Sequence, residues 1–367
     1  MSKKLYERRV VVAQQVLNPK GIGGVSAEFN GLSNSKLSER GYQFVPVVLD
    51  NCHKGINLFD IRFYEKRFRE IRPDIIHIRG AAPDGLNAAI AAKLYGKAKI
   101  LVTVHGMYSD LVFISRIKRF ISKNIIERSI FQLSDGISCV CKSASERPYF
   151  KKWRSKMLPF VYNRMPVIAK TGKTRSQLRA ELGLPEHSVI GVYVGRITRE
   201  KGMDVLTDTF CLMSEKWPKE LHFLIVGDGD YRKQMQDRVS ELAVSSHVLF
   251  TGAKENVSPF LLASDFFVMP SLHENHSIAL LEAVSATLPC VVTDVGGNSE
   301  IVSNLKTGLL VERSNASQLA IAIEKMAGDN RLRTTLKMNI ENSDYSVFSN
   351  NAIDDRLDCV YKEILTK

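Results

Sequence analysis

The chain has 367 residues, 44% of them apolar and 25% charged, with 51 Lys+Arg against 39 Asp+Glu and a formal net charge of +12. That composition excludes a disordered or collagen-like chain, and the length suits about two domains, each with its own core. The charge is uneven: residues 1–165 carry 29 Lys+Arg and 13 Asp+Glu, net +16, whereas residues 166–367 carry 22 and 26, net −4.

No apolar run approaches the roughly 18 residues that span a bilayer. The start, Met1-Ser2-Lys3-Lys4, leads into the strand-like Val10-Val11-Val12 instead of a signal-peptide core, so the expected location is the cytoplasm. The six cysteines are too irregularly spaced for a disulfide framework or a paired CxxC zinc site.

Short β-branched runs alternate with longer amphipathic or Ala-rich stretches, the pattern of βαβ units around parallel sheets. In the first half, strands are predicted at Val10–Val12, Phe44–Leu49, Ile75–Ile78, Ile100–Val104 and Gly136–Val140. Helices are predicted between them at Ser26–Arg40, Ile61–Ile71 and Gly85–Leu94. The loop Gly21-Ile22-Gly23-Gly24 follows the first strand; its glycines can bring backbone N–H groups close to a phosphate, or serve only as a tight turn. It lacks both the GxGxxG spacing and the Lys of a Walker loop. His105 falls at the end of the strand Ile100–Val104 and before Gly106. That position favours an imidazole aimed at a ligand over a core histidine.

Val112–Phe131 places Phe113, Ile117, Phe120, Ile121 and Ile125 on one side and Arg116, Arg119, Lys123 and Arg128 largely elsewhere. A basic amphipathic helix on an anionic membrane and an ordinary helix with its stripe in the core share this pattern. Lys151 to Glu186 has little periodicity, and the domain link is placed near Val161 to Lys173. The expected division is a basic first domain at 1–165, a second domain at 166–345, and a terminal helix at 346–367 that crosses back to the first.

In the second half the strands are Val189–Val194, His222–Val226, Val248–Phe250, Phe266–Met269, Cys290–Thr293 and Gly308–Val311. Each loop that follows a strand repays inspection, because ligands of open α/β sheets bind beyond the carboxyl ends of the strands. After the first comes Gly195-Arg196-Ile197-Thr198-Arg199-Glu200-Lys201-Gly202. Arg196 and Lys201 offer a planar fork and a point charge suited to a diphosphate, while Arg199 and Glu200 read as exposed turn residues. The stripe Met203, Leu206, Phe210, Met213 and Trp217 is core by its helical spacing. Gly227, after the second strand, leaves room for close approach of a flat group, and by itself its loop is only a turn.

Ser271 to Val284 follows the fourth strand and holds Glu274 and Glu282, eight apart, around Asn275, His276, Ser277 and Ile278. A helix starting near Ser277 would put Glu274 in the loop and Glu282 in the early turns, where both carboxylates can accept hydrogen bonds from sugar or ribose hydroxyls. Otherwise they are solvated charges at the two ends of a surface helix. His273 and His276 lack the i,i+4 spacing of a zinc helix, so no metal site is expected.

Taken together, Gly195 to Gly202, the Glu274/Glu282 pair, Leu288-Pro289-Cys290 through Gly296-Gly297, and Gly308-Leu309-Leu310-Val311 resemble the GT-B glycosyltransferases, specifically the retaining family 4. The resemblance implies two Rossmann-like domains facing across a cleft. It implies that Arg196 and Lys201 hold the donor diphosphate and stabilise charge on the leaving nucleotide. It also implies that Glu282 accepts ribose hydroxyls, that Glu274 contacts the transferred sugar, and that His105 lines the site from the first domain. The chain departs from the pattern at Asn275-His276-Ser277, where many relatives have Gly-Phe-Gly, and at Tyr162-Asn163-Arg164-Met165.

The expected function is therefore a retaining, metal-independent sugar transfer without a cofactor. The donor is a nucleotide sugar, UDP-linked by preference or GDP-linked, and the acceptor a glycan, polyprenyl-diphosphate-linked by preference. The basic first domain suggests an anionic membrane surface as partner and a place on its inner face. The first half shows no nucleic-acid-binding pattern. A small soluble acceptor is the alternative, and a non-catalytic nucleotide-sugar-binding protein a more distant one.

Overall fold

The strands of the described residues all pair in parallel and sort into two sheets. The structure, a computed structural model, describes residues 8–16, 31–32, 35–49, 53, 55–169 and 171–367. Two compact units emerge, Met1–Arg164 with Tyr345–Lys367 and Met165–Asp344. The loop with Gly21, Gly23 and Gly24, and residues 26–30 and 33–34 of the helix predicted at Ser26–Arg40, lie outside the described residues; of the rest, 31–32 are helical and Lys36–Ser38 form a 3-10 turn capped by Ser35.

The first unit has a five-stranded sheet, β1 (Val10–Val16), β2 (Tyr42–Val48), β3 (Ile75–Ala81), β4 (Lys99–Met107) and β5 (Gly136–Cys139), in the order β2-β1-β3-β4-β5. β1, β3, β4 and β5 are buried along most of their length because both faces of a parallel sheet are covered, whereas the edge strand β2 leaves Gln43 and Pro46 exposed. One face packs on the helices Leu58–Ile71 and Pro83–Tyr95, which bury Tyr64, Phe68, Ala88, Ala89, Ala91 and Ala92 with Ile76, Ile78 and Val102. The helix Asn350–Thr366 joins Val12, Ile75 and Leu101 in a second cluster through Ile353, Leu357, Val360, Tyr361 and Ile364. Its Asp354 is buried, accepts from Ser35 Oγ at 2.8 Å and Lys36 N at 2.9 Å, and pairs with Arg164 at 2.7 Å.

Two expectations for this unit change. β4 runs on to Met107, since its pairing with β3 resumes beyond an irregularity, Arg79 opposite Thr103 and then Ala81 opposite Met107. His105 therefore sits within the strand and not at its end. The helix predicted inside Val112–Phe131 forms as Arg116–Ile121, a π-helical turn at Ser122–Ile126, and Glu127–Leu133. The core reading of its apolar stripe fails: Phe113, Ile117, Phe120, Ile121 and Ile125 are all exposed. The helix is anchored instead by Ile130 and Phe131 and by buried Glu127, which accepts from Ser109 N and Oγ, both at 2.8 Å, and from Ser122 Oγ at 2.9 Å.

The second unit has six strands: β6 (Val189–Val194), β7 (Leu221–Val226), β8 (Val248–Gly252), β9 (Phe266–Met269), β10 (Cys290–Thr293) and β11 (Gly308–Val311). Their order, β11-β10-β9-β6-β7-β8, is the doubly wound arrangement, and the strand order reverses between β6 and β9. The stripe Met203, Leu206, Phe210 and Met213 is core, with Trp217 packed against it. Among the described residues no helix is long and apolar enough to cross a membrane.

Candidate active site

The loops after β6 and β9 flank the switch point of the second sheet, where a crevice for ligands opens in doubly wound folds. After β6 the backbone turns at Gly195, and Tyr193 Oη donates to the Arg196 carbonyl at 2.7 Å, fixing the turn from inside the core. Arg196 is exposed beyond it. A short 3-10 turn, Arg199–Lys201, then leads through Gly202, which has φ +70 and abuts the Pro270 carbonyl. A side chain at Gly202 would collide with that carbonyl, so the glycine is what lets the two loops touch. Leu272 N donates to the Glu200 carbonyl at 3.0 Å, stitching the same contact. Arg199 is exposed as expected, but Glu200 is half-buried because its loop lies against the one after β9.

This stitching brings together charges that are 73 residues apart in sequence. Lys201 Nζ donates to Glu274 Oε1 at 2.7 Å, and Ser271 Oγ donates to the same oxygen at 2.8 Å. Glu274 is only 8% exposed, so its carboxylate depends on these charged and polar partners for what burial takes away. Its main chain is held too: Gly296, with φ +56, backs onto the Glu274 carbonyl, and Gly297 N donates to the Asn275 carbonyl at 2.7 Å. Thr293 Oγ1 donates to the Ser271 carbonyl at 2.6 Å, and Asn298 Nδ2 to the Thr293 carbonyl at 2.9 Å. The loop after β10 thus supports the loop after β9.

Asn275, His276 and Ser277 are buried and Ile278 half-buried. Burial pushes the His276 imidazole down to about 4, so it is neutral at pH 7. Ser277 caps the helix Ile278–Ser285 through Leu280 N, 3.3 Å from its Oγ. Glu282 is on that helix, half-buried, and its carboxyl is raised by burial to about 7. Gly227 is buried after β7, where a side chain would meet the Gly195 carbonyl, and its N–H donates to the Gly252 carbonyl at 2.9 Å.

The second unit thus unites Lys201 with Glu274 and assembles Arg196, Gly227, Asn275 to Ile278 and Glu282 on loops and a helix beyond the same sheet edge. His105 belongs to the other unit. Its imidazole is pushed down to about 3, first by burial and then by the charge of Arg79. Arg79, itself buried, donates through Nε to Gln14 Oε1 at 3.0 Å. Below it His77 meets Thr103 Oγ1 at 2.7 Å and Tyr361 Oη at 3.0 Å. Sequence inspection assigned no part to Ser271, Tyr193, Arg79 or His77. A Tyr inside an apolar strand, and a His and an Arg two apart in β3, are the local signals that could have pointed to them.

Comparisons with known proteins agree with this layout. The family description "Glycosyl transferases group 1" matches residues 174–343, and "Glycosyltransferase Family 4" matches residues 31–148. The chain is 26% identical over 293 residues to N-acetyl-alpha-D-glucosaminyl L-malate synthase of Bacillus anthracis, covering 80% of this chain and 75% of that one. It is 25% identical over 306 residues to the UDP-Gal:alpha-D-GlcNAc-diphosphoundecaprenol alpha-1,3-galactosyltransferase of Escherichia coli, covering 80% and 76%. Its fold is similar to that of HepE of Anabaena in complex with UDP-glucose, with a TM-score of 0.76 over 97% of this chain and 100% of that one at 16% identity. With two Rossmann-type sheets and both family descriptions matched in order along it, the chain belongs to the family 4 glycosyltransferases of GT-B fold.

Proposed function

We propose that this protein moves a sugar, with retention of configuration, from a nucleotide-diphosphate sugar to a lipid-linked glycan on the inner face of an anionic membrane. It does so with no metal ion or other cofactor. The observation that carries the reading is the Lys201–Glu274 pair at the switch point, 2.7 Å apart and joined by Ser271, with Arg196 on the same loop as Lys201. A cation held by a carboxylate and a second cation exposed nearby suit a ligand that is at once a sugar and a diphosphate. Glu274 takes the sugar hydroxyls, and Lys201 and Arg196 take the phosphate oxygens.

Charge that develops on the departing nucleotide diphosphate is stabilised by Arg196 and Lys201, which are in place before the bond breaks, so little reorganisation opposes the reaction. Glu282 accepts from the ribose hydroxyls when ionised. Gly227, Asn275, His276, Ser277 and Ile278 shape the donor pocket, and neutral His105 exchanges a hydrogen bond with a substrate hydroxyl. A UDP-sugar is the favoured donor and a GDP-sugar the second choice. The Escherichia coli relative is named for UDP-Gal and the Anabaena structure holds UDP-glucose. The lipid-linked acceptor follows the Escherichia coli relative and the +16 charge of residues 1–165. The Bacillus anthracis relative, named for malate, favours a small soluble acceptor instead.

Incubation with UDP-, GDP- and dTDP-sugars, followed by nucleotide release, identifies the donor. Parallel acceptor arms with polyprenyl-diphosphate glycans and with small hydroxy acids separate the two acceptor readings. Lys201→Ala and Glu274→Ala are expected to lower turnover more than tenfold with an unchanged circular dichroism spectrum. Full activity in both variants sinks the assignment.

A further inference from the structure

In the N-terminal unit, Leu111 to Ile126 contains four cations and no acidic residue. Within it Val112, Phe113, Ile117, Phe120, Ile121 and Ile125 are exposed, Ile117 at 73% and Phe120 at 64%. Scattered exposed apolar residues are ordinary, but this many in one short segment is not. The segment is nonetheless firmly built. Ser115 caps the helix through Lys118 N at 3.3 Å, and Arg119 ties the preceding turn by donating to the Leu111 and Val112 carbonyls at 2.8 and 3.1 Å. Buried Glu127 holds its far end.

A second basic segment adjoins it. Pro148–Lys156 carries Lys151, Lys152, Arg154 and Lys156, and Tyr149 Oη donates to the Lys123 carbonyl at 3.1 Å. The Lys152 ammonium lies 4.8 Å from the Tyr149 ring centroid and that of Lys123 5.7 Å from it. An apolar strip bordered by an aromatic ring and long cations, without acids, is complementary to one environment above others. Acyl chains take the apolar side chains, anionic headgroups take the ammonium and guanidinium groups, and the aromatic ring sits at the boundary.

We propose that the helix Arg116–Ile121 and the turn Ser122–Ile126 form a membrane-insertion surface. Ile117, Phe120, Ile121 and Ile125 enter an anionic leaflet, and Lys118, Lys123, Lys151 and Lys152 engage its headgroups. The proposal rests on the membrane reading above and adds a non-electrostatic component to it: attachment that survives screening of the charges.

The test is flotation of the full chain with vesicles of phosphatidylglycerol and phosphatidylcholine, or of phosphatidylcholine alone, at low and high salt. UDP binding by calorimetry is measured on the same preparations. The parent is expected to float with anionic vesicles at low salt and to keep a measurable fraction at high salt. The triple variant Ile117→Ser, Phe120→Ser, Ile125→Ser should lose the salt-resistant fraction by about tenfold or more while binding UDP and melting as the parent does. Lys118→Gln with Lys123→Gln should weaken flotation at low salt only. Unchanged flotation of the triple variant overturns the proposal, as does loss of self-association in that variant without loss of flotation, which would make the strip a contact between copies. A parent that turns over donor but never floats defeats this proposal alone. A parent that floats but neither binds nor turns over any nucleotide sugar defeats the donor reading and leaves the surface standing.

Discussion

In the C-terminal unit the helix Ile278–Ser285 buries Leu280, Leu281, Ala283 and Val284, whereas in the N-terminal unit the helix Arg116–Ile121 buries none of its residues. Both segments carry apolar side chains at helical spacing, and both adjoin residues with chemistry to offer. The difference lies in what covers the apolar face. The first helix leans on β9 and β10 and fixes the loop that holds Glu274. The second is held at its capped start and at Glu127, and its apolar residues face outward. A period of 3.6 residues says that a helix has a face and leaves open what meets it.

This contrast can be broken or sharpened by substitution. The largest expected effect on stability is at fully buried Leu281. Leu281→Ala should cost about 2–5 kcal/mol in urea unfolding, through lost burial and the cavity left behind. Ser277→Ala, which removes the cap from the same helix, should cost about 1 kcal/mol by the same measurement.

Glu282 adds a dependence on pH. Burial lifts its carboxyl from the ordinary 4.5 to about 7. Between those values the folded chain keeps a proton that the unfolded chain has released, so stability falls as pH rises across that window. Glu282→Gln should therefore melt with the parent at acid pH and gain on it as the pH climbs towards 7. A gap that stays constant with pH would mean that the carboxyl is solvated. The ionised form, which prevails above about 7, is the better hydrogen-bond acceptor, so the ribose contact proposed for Glu282 predicts UDP binding that strengthens as the pH passes that point.

The smallest expected effect is at Phe120, 64% exposed. Phe120→Ala should change stability by no more than about 0.5 kcal/mol, a loss that Leu281→Ala exceeds several-fold. Comparable losses at the two positions would show that Phe120 is covered in solution, and the contrast between the helices would disappear.

Much of the candidate site was legible in the sequence because its pieces are local. A strand, a glycine turn and a helix start within ten residues place Arg196 and Lys201 beyond β6 whatever the rest of the chain does, and the same punctuation places Glu274 beyond β9. The end of β4 near His105 is not legible locally, because β4 continues through pairing with β3, a partner outside the segment itself. The burial of Glu200 is not legible for the same reason, since the loop that shields it is some seventy residues away.

What the sequence by itself determined, then, is the alternation of strands and helices, the doubly wound class, and which charged residues stand at strand ends, all properties of short windows. The tertiary structure alone decided that Lys201 and Glu274 share a hydrogen bond, with Ser271 as the third member. It decided that Asp354 on the terminal helix pairs with Arg164, 190 positions earlier, and that Tyr361 meets His77. It also decided which amphipathic face is core and which is surface. The physical reason is common to all of these: burial and pairing depend on neighbours that only the folded chain brings near, and no local pattern carries their identity.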